Sequence, residues 1–228
     1  MRISKLLSSA CKLVVIILPW SVKRRILGRY FKYDISPSAH IGVAWVFPSR
    51  MKLGPHARIG SLTVAIHLDL IDMGEKAKIG RSNWITGFPS GTDSPHFSHQ
   101  AQRRAELLMG EHSAITKNHH IDCTNTIRIG SFTTIAGYRS QLLTHAIDLK
   151  ENRQNSEPIE IGRYCFVGSS CIILGGSRLP DYSVLGAMSL LNKRHDQTWS
   201  LYGGQPARWL KSLDRDSGYF YRQRGSVD

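Results

Sequence analysis

The chain has 228 residues with a formal net charge of +13, long enough for one domain with a sizeable core plus appendages. Its four cysteines, Cys11, Cys123, Cys165 and Cys171, form no CxxC pair, which excludes a recognisable disulfide framework or cysteine-based zinc module and favours a reducing compartment. No helix-turn-helix, zinc-finger or RNP-type motif accompanies the positive charge, so nucleic acid is not the expected partner.

The charge is uneven. Residues 1–33 hold Arg2, Lys5, Lys12, Lys23, Arg24, Arg25, Arg29 and Lys32 with no acidic residue before Asp34. Ile3, Leu6, Leu7, Ala10, Val14, Ile17 and Leu18 follow helical spacing, with Lys5, Ser8, Ser9 and Lys12 on other faces, and Pro19 ends this amphipathic helix. A second short helix from Ser21 to about Tyr30 is expected to turn Val22, Ile26 and Tyr30 to one side. The unbroken apolar run Leu13 to Leu18 is far short of the roughly 20 residues of a spanning helix. Lys12 interrupts the apolar region and no small-residue cleavage site follows, which argues against a secretory signal. A helical segment lying on an anionic membrane surface, from the cytoplasmic side, is the expectation for residues 1–33.

From Ile35 a six-residue beat begins: Ile35, Ile41, Leu53, Ile59, Met73 and Ile79, commonly followed by Gly. It resumes at Met109, Ile115, Ile121, Ile129 and Ile135, and again at Ile161, Val167, Ile173, Leu179, Leu185 and Leu191. This period fits neither an amphipathic helix nor a half-buried strand; it is the mark of a solenoid in which each repeat buries its aliphatic residue against the next turn. Three repeats make one triangular turn of about 18 residues. Glycines spread through the repeats suit corners where φ is positive or backbones approach closely. Cys165 and Cys171, six apart at equivalent positions, are expected to point inward as small apolar residues.

Two stretches break the beat. Residues 87–108 read as a Gly-, Pro- and Ser-rich loop followed by a short helical turn, and carry His96 and His99, which have no acidic or Cys partner nearby for a metal. Residues 142–158 are polar and expected outside the core; they carry Thr144 and His145. After Leu191 a basic linker leads to Gly-Gly-Gln-Pro-Ala-Arg, where Pro206 is expected to open a short capping helix carrying Ala207, Leu210 and Leu213, with a frayed polar tail. The resulting division is 1–33 helical, 34–204 solenoid, and 205–228 cap and tail.

The Thr-His pair, the polar loop, Pro-Ile-Glu-Ile-Gly, the repeated Val-Gly and Leu-Gly hexapeptides and Gly-Gly-Gln-Pro-Ala-Arg together resemble the hexapeptide-repeat acyltransferases, within them the maltose- and galactoside-type sugar O-acetyltransferases. The likeness is strong from about Ile115 to Leu213, weaker from Ile35 to Thr86, and absent from the N-terminal helices and the 87–108 insertion. It implies an all-β left-handed parallel β-helix, a homotrimer, and acetyl-CoA bound between neighbouring subunits. His145 matches the family's catalytic histidine, and Asn118 the Asn or Asp that helps hold the acceptor. CoA contacts map onto Ser169, Gly186, Ala187, Lys193, Arg208 and Lys211. Where many members carry Trp in a Trp-Ile-Gly repeat, this chain has Phe166 in Phe-Val-Gly.

The chemistry this implies is direct acetyl transfer from a thioester to a sugar hydroxyl, with no metal. A hydroxyl is a poor nucleophile at neutral pH, so a base must take its proton, and histidine suits that task. Asp148, Glu157 or a backbone carbonyl is expected to orient His145. His119 and His120 flank the acceptor position beside Asn118, with Thr144 next to His145; adjacent strand side chains face opposite ways, so at most one of the two histidines joins Asn118 directly. The acceptor is expected to be a saccharide or lipid-linked saccharide, in surface polysaccharide assembly. N-acylation of an amino sugar or small amino acid, or a non-catalytic scaffold, stands as the alternative.

Overall fold

The structure, a computed structural model, describes residues 11–225. Its body is three sheets visited in rotation. Arg50–Leu53 lies in the first, Arg58–Ile59 in the second, Val64–Ala65 in the third, and Leu70–Met73 returns to the first. Each strand pairs in parallel with its equivalent one turn away, as in Leu53 with Met73, Ile59 with Ile79 and Ala65 with Ile85. The result is a three-sided parallel β-helix.

The aliphatic beat forms the core. Met109, Ile115, Ile121, Ile129 and Ile135 are buried, as are Ile161, Val167, Ile173, Leu179, Leu185 and Leu191. Cys123, Cys165 and Cys171 are buried and free. Turn length varies more than the hexapeptide beat suggests: Ile41 pairs with Ile59, but Ile59 pairs with Ile79 and Ile115 with Ile135, two residues further along the chain. One extra residue falls between the second and third sheets and one between the third and the first, and both insertions leave from the latter corner.

Most corner residues with positive φ are not glycine; His56, Lys76, His112, Phe132 and Tyr164 all adopt it. Several glycines serve close approach instead. A Cβ on Gly80 would lie 1.9 Å from the Thr116 carbonyl oxygen of the next turn. Because equivalent corners repeat at the strand spacing of about 4.8 Å, their rings stack. His112, Phe132, Tyr164, Tyr182 and Trp199 form a continuous column, with successive centroids 4.8, 4.7, 5.4 and 4.5 Å apart.

That column seats the C-terminal residues, which are a strap rather than a frayed tail. Phe220 packs against Trp199 with ring centroids 5.0 Å apart, the Tyr219 hydroxyl donates to the Cys165 carbonyl at 2.9 Å, and Arg222 lies over the Tyr219 ring. The expected capping helix after Pro206 is also absent. Arg208–Ser212 is a strand, antiparallel to Ser200–Gly203, and Leu210 is exposed. At the open end of the second sheet, the unpaired backbone of Ser200–Gly203 offers a full set of hydrogen-bond partners, and the chain takes them in preference to a solvated helix.

At the other end, residues 11–17 are helical and a second helix, Trp20–Arg29, packs on the first turn. It buries Leu27 and Lys23; of the side formed by Val22, Ile26 and Tyr30, Ile26 packs partly against the core and the other two are exposed. Lys23 Nζ donates to the Gly42 carbonyl at 2.7 Å, and burial lowers its pKa to about 8. The expected helical positions from Ile3 to Ala10 lie outside the described residues. Among those described, no helix is long and apolar enough to cross a membrane.

Candidate functional site

The two insertions project from the same corner and fold onto one another. Asp69 anchors both ends of the first, its carboxylate accepting the Ser90 N–H at 3.1 Å and the Ala105 N–H at 2.8 Å. The insertion ends there, because Glu106–Met109 is already a strand of the first sheet, and irregular turns replace the expected helical turn. Arg103 pins the interior. Its buried guanidinium donates to the carbonyls of Phe88, Pro89 and Thr124 and lies 4.7 Å from the Phe97 ring centroid. The second insertion is a hairpin of His145–Asp148 paired with Arg153–Ser156; Leu142, expected outside, is a core residue of Gln141–Leu143. Gln100 joins the insertions, donating to Asn155 Oδ1 at 2.8 Å and accepting from Ser156 Oγ at 2.7 Å.

Between them lies a cleft of about 510 Å³ lined by Phe88, His96, Phe97, His120, Asp122, His145 and Gln154. His145 begins the hairpin, half-exposed, with Phe97 edge-on at 5.7 Å. Its Nδ1 is 4.0 Å from Asp122 Oδ2, and its Nε2 is hydrogen-bonded to the Gln154 side-chain oxygen, Oε1, an acceptor. Asp122 is itself fixed, Oδ1 accepting from the Thr124 N–H at 2.9 Å and the Thr124 hydroxyl at 2.7 Å. The expected orienting carboxylates are elsewhere: Asp148 Oδ1 caps the hairpin tip by accepting the N–H groups of Lys150 and Glu151. Glu157 does not line the cleft. Sequence reasoning missed Asp122 and Gln154. A signal for Asp122 exists, since pairing Ile121 with Leu142 sets Asp122 beside Leu143, two residues before His145.

The neighbouring expected residues divide. His120 faces outward on the same side of its strand as Asp122 and lines the cleft. His119 is buried. It receives the Ser140 N–H at Nδ1 and contacts the Thr116 hydroxyl through Nε2 at 2.9 Å, and burial lowers its pKa to about 4. Thr144 is also fully buried, its hydroxyl donating to the Asp122 carbonyl at 2.8 Å and accepting the Asn125 N–H, so it is a packing residue beneath the site. Asn118 lies at the opposite edge of the third sheet, in a groove with Trp84, Arg139 and Gln141. Among the described residues, only His120 lines both that groove and the cleft.

Of the six residues expected at the acyl donor, Ser169, Gly186 and Ala187 fall at the corner between the second and third sheets. Arg208 joins them there: it pairs with Gly203, and Gln205 beside it donates to the Met188 carbonyl at 2.8 Å. Small residues repeat along this corner, where a Cβ on Gly137 would overlap Ser169 and one on Gly168 would meet the Ala187 backbone N at 2.6 Å. Lys211 is exposed further along the same strand. Lys193 is apart from them, at the corner between the third and first sheets, where its carbonyl accepts the Arg178 N–H. Phe166, in the place of the family's Trp, lies edge-on to Tyr219 of the strap.

No family model and no curated protein sequence matches the chain. Solved structures do. The polysialic acid O-acetyltransferase OatWY superposes with a TM-score of 0.56 at 14% identity, over 82% of this chain and 90% of that one. A point mutant of AntD, an N-acyltransferase from Bacillus cereus solved in complex with dTDP-4-amino-4,6-dideoxyglucose and coenzyme A, gives 0.50 at 14% identity over 80% and 84%. The shared fold is the left-handed parallel β-helix expected above. At this identity the likeness fixes the handedness and architecture expected above.

Proposed function

We propose that this chain is an acetyl-CoA-dependent O-acetyltransferase acting on a sugar hydroxyl, with His145 as general base. The observation that carries the reading is His145 set between Asp122 and Gln154 in an open cleft with an aromatic wall. In the free chain Nε2–H donates to Gln154 Oε1; when the acceptor hydroxyl takes that oxygen's place and the proton sits on Nδ1 facing Asp122, Nε2 carries the lone pair that takes the hydroxyl proton as the oxygen attacks the acyl carbon. The carboxylate then steadies the imidazolium that results. The C–S bond breaks, and His145 returns its proton to the departing thiolate. The acetyl thioester supplies a good leaving group, so no covalent enzyme intermediate is needed. A backbone N–H is assigned to the oxyanion.

His145 and the small-residue corner at Ser169 and Ala187 lie at opposite edges of the third sheet, roughly 15 Å of extended chain apart. A cleft between two copies of the chain, in which one supplies His145 and the next its Ser169 corner with Arg208, reconciles them; the homotrimer is proposed on that ground. Arg208 and Lys211 offer the cations that the phosphates of CoA need. OatWY is a sugar-polymer O-acetyltransferase of the same fold, which favours a saccharide acceptor. N-acylation of an amino sugar is the second reading, favoured by AntD.

Residues 1–30 are proposed to hold the enzyme at an anionic membrane face, where lipid-linked saccharides are built. In the described part, Leu13, Val14, Ile17 and Val22 are exposed on a segment rich in Lys and Arg. The test is release of CoA across a panel of sugars, amino sugars and lipid-linked sugars. Turnover on a hydroxyl acceptor supports the proposal; turnover confined to amines replaces it with the second reading. Liposome binding that survives deletion of residues 1–30 removes the membrane role.

A further inference from the structure

On the second sheet, Arg58 and Lys78 are in-register partners in adjacent parallel strands, and both are exposed on its outer surface. Like charges at such spacing repel and destabilise the sheet unless something compensates them. Among the described residues neither makes an ion pair. The next rung is Ala114, whose small side chain leaves open space beside Lys78. Along the adjoining corner, His56, Lys76 and His112 occupy equivalent positions of successive turns. Lys76 pairs with the exposed Glu75 at 2.9 Å.

The C-terminal strap closes this region into a pocket. Arg222, laid over Tyr219 and donating to the Phe132 carbonyl, directs the chain back along the corner. The Gly225 N–H then donates to His112 Nδ1 at 3.1 Å, which leaves the His112 proton on Nε2. Arg224 thereby joins Arg58 and Lys78 around a pocket of about 580 Å³ that, among the described residues, no carboxylate lines. It lies at a different corner from the cleft at His145 and shares no residue with it.

We propose that this pocket binds a phosphate-class anion, a phosphomonoester or diphosphate group. Uncompensated, in-register cations are unfavourable by themselves and favourable once a multivalent anion lies between them. Two guanidinium forks and an ammonium match the several oxygens of a phosphate or diphosphate, where a single carboxylate would leave donors unused. The binding does not depend on the transferase reading. The anion can come from a soluble phosphate compound or from a lipid headgroup.

The test is calorimetric titration of the full chain with inorganic pyrophosphate at constant ionic strength. Arg58→Gln and Lys78→Gln are expected to weaken binding about tenfold each, the loss of a charge-assisted hydrogen bond. Lys150→Gln, which removes an exposed cation at the hairpin tip, should leave it unchanged. In phosphate-free buffer Arg58→Gln should raise Tm, because it relieves repulsion, while shrinking the Tm gain on adding pyrophosphate. Absence of binding, equal affinity in all variants, or loss of binding only in Lys150→Gln would overturn the proposal. Flotation with phosphatidylcholine vesicles carrying phosphatidate separates the sources: reduced flotation of the Arg58 and Lys78 variants identifies a headgroup, and equal flotation with weakened pyrophosphate binding identifies a soluble phosphate.

Discussion

His145 and Asp122 face one another on the cleft floor, Nδ1 to Oδ2 at 4.0 Å, although they belong to different turns of the helix. The carboxylate cannot swing away, because Thr124 holds its other oxygen through both N–H and hydroxyl. A fixed carboxylate beside a base favours one tautomer and stabilises the imidazolium formed during proton transfer. Asp122→Asn keeps the size and the Thr124 contacts but removes the charge. It is expected to lower kcat by about ten- to a hundredfold with little change in KM for acetyl-CoA. Steady-state kinetics checks this, and an unchanged kcat would show that Asp122 is only a neighbour.

Arg103 carries the first insertion's wall of the cleft. Arg103→Ala removes the partner of three backbone carbonyls and the cation between Phe88 and Phe97. Leaving those groups unpaired is expected to destabilise the insertion by on the order of 2 kcal/mol or more. Limited proteolysis should then cut within residues 87–105 while the solenoid resists. The KM of the acceptor should rise more than that of acetyl-CoA, since the insertion borders His145 and not the Ser169 corner.

His119 sets a pH limit on stability. Burial depresses its pKa to about 4, so the folded state holds it neutral. Its contribution is complete above the unfolded value of about 6.5 and is lost as pH falls from there towards about 4. Tm measured by calorimetry should decline as pH falls through that window. In His119→Gln, which cannot titrate, the decline should be shallower; an identical slope would mean that other groups govern it.

The repeat positions are legible because a solenoid writes its core into sequence at a fixed period: the burial of Ile115, Ile135 and Val167 follows from that period alone. His145 was legible because it sits where that period fails. What escaped was pairing across turns. Asp122 and Gln154 reach His145 only once the register of Ile121 with Leu142 and the hairpin of residues 145–156 are known. Thr144 and His119 look polar and available in sequence, but their hydrogen bonds are spent inside the wall. The strap was illegible for a similar reason. Its polar composition suggests solvation, whereas Tyr219, Phe220 and Arg222 find a ring column that exists only when corners from successive turns stack.

The central claim is that His145 takes the proton of the acceptor. The most direct measurement is single-turnover acetyl transfer by His145→Ala against the unaltered chain, with acetyl-CoA binding measured in parallel. Loss of about a hundredfold or more in rate with acetyl-CoA affinity retained is the predicted result. An unchanged rate would contradict it.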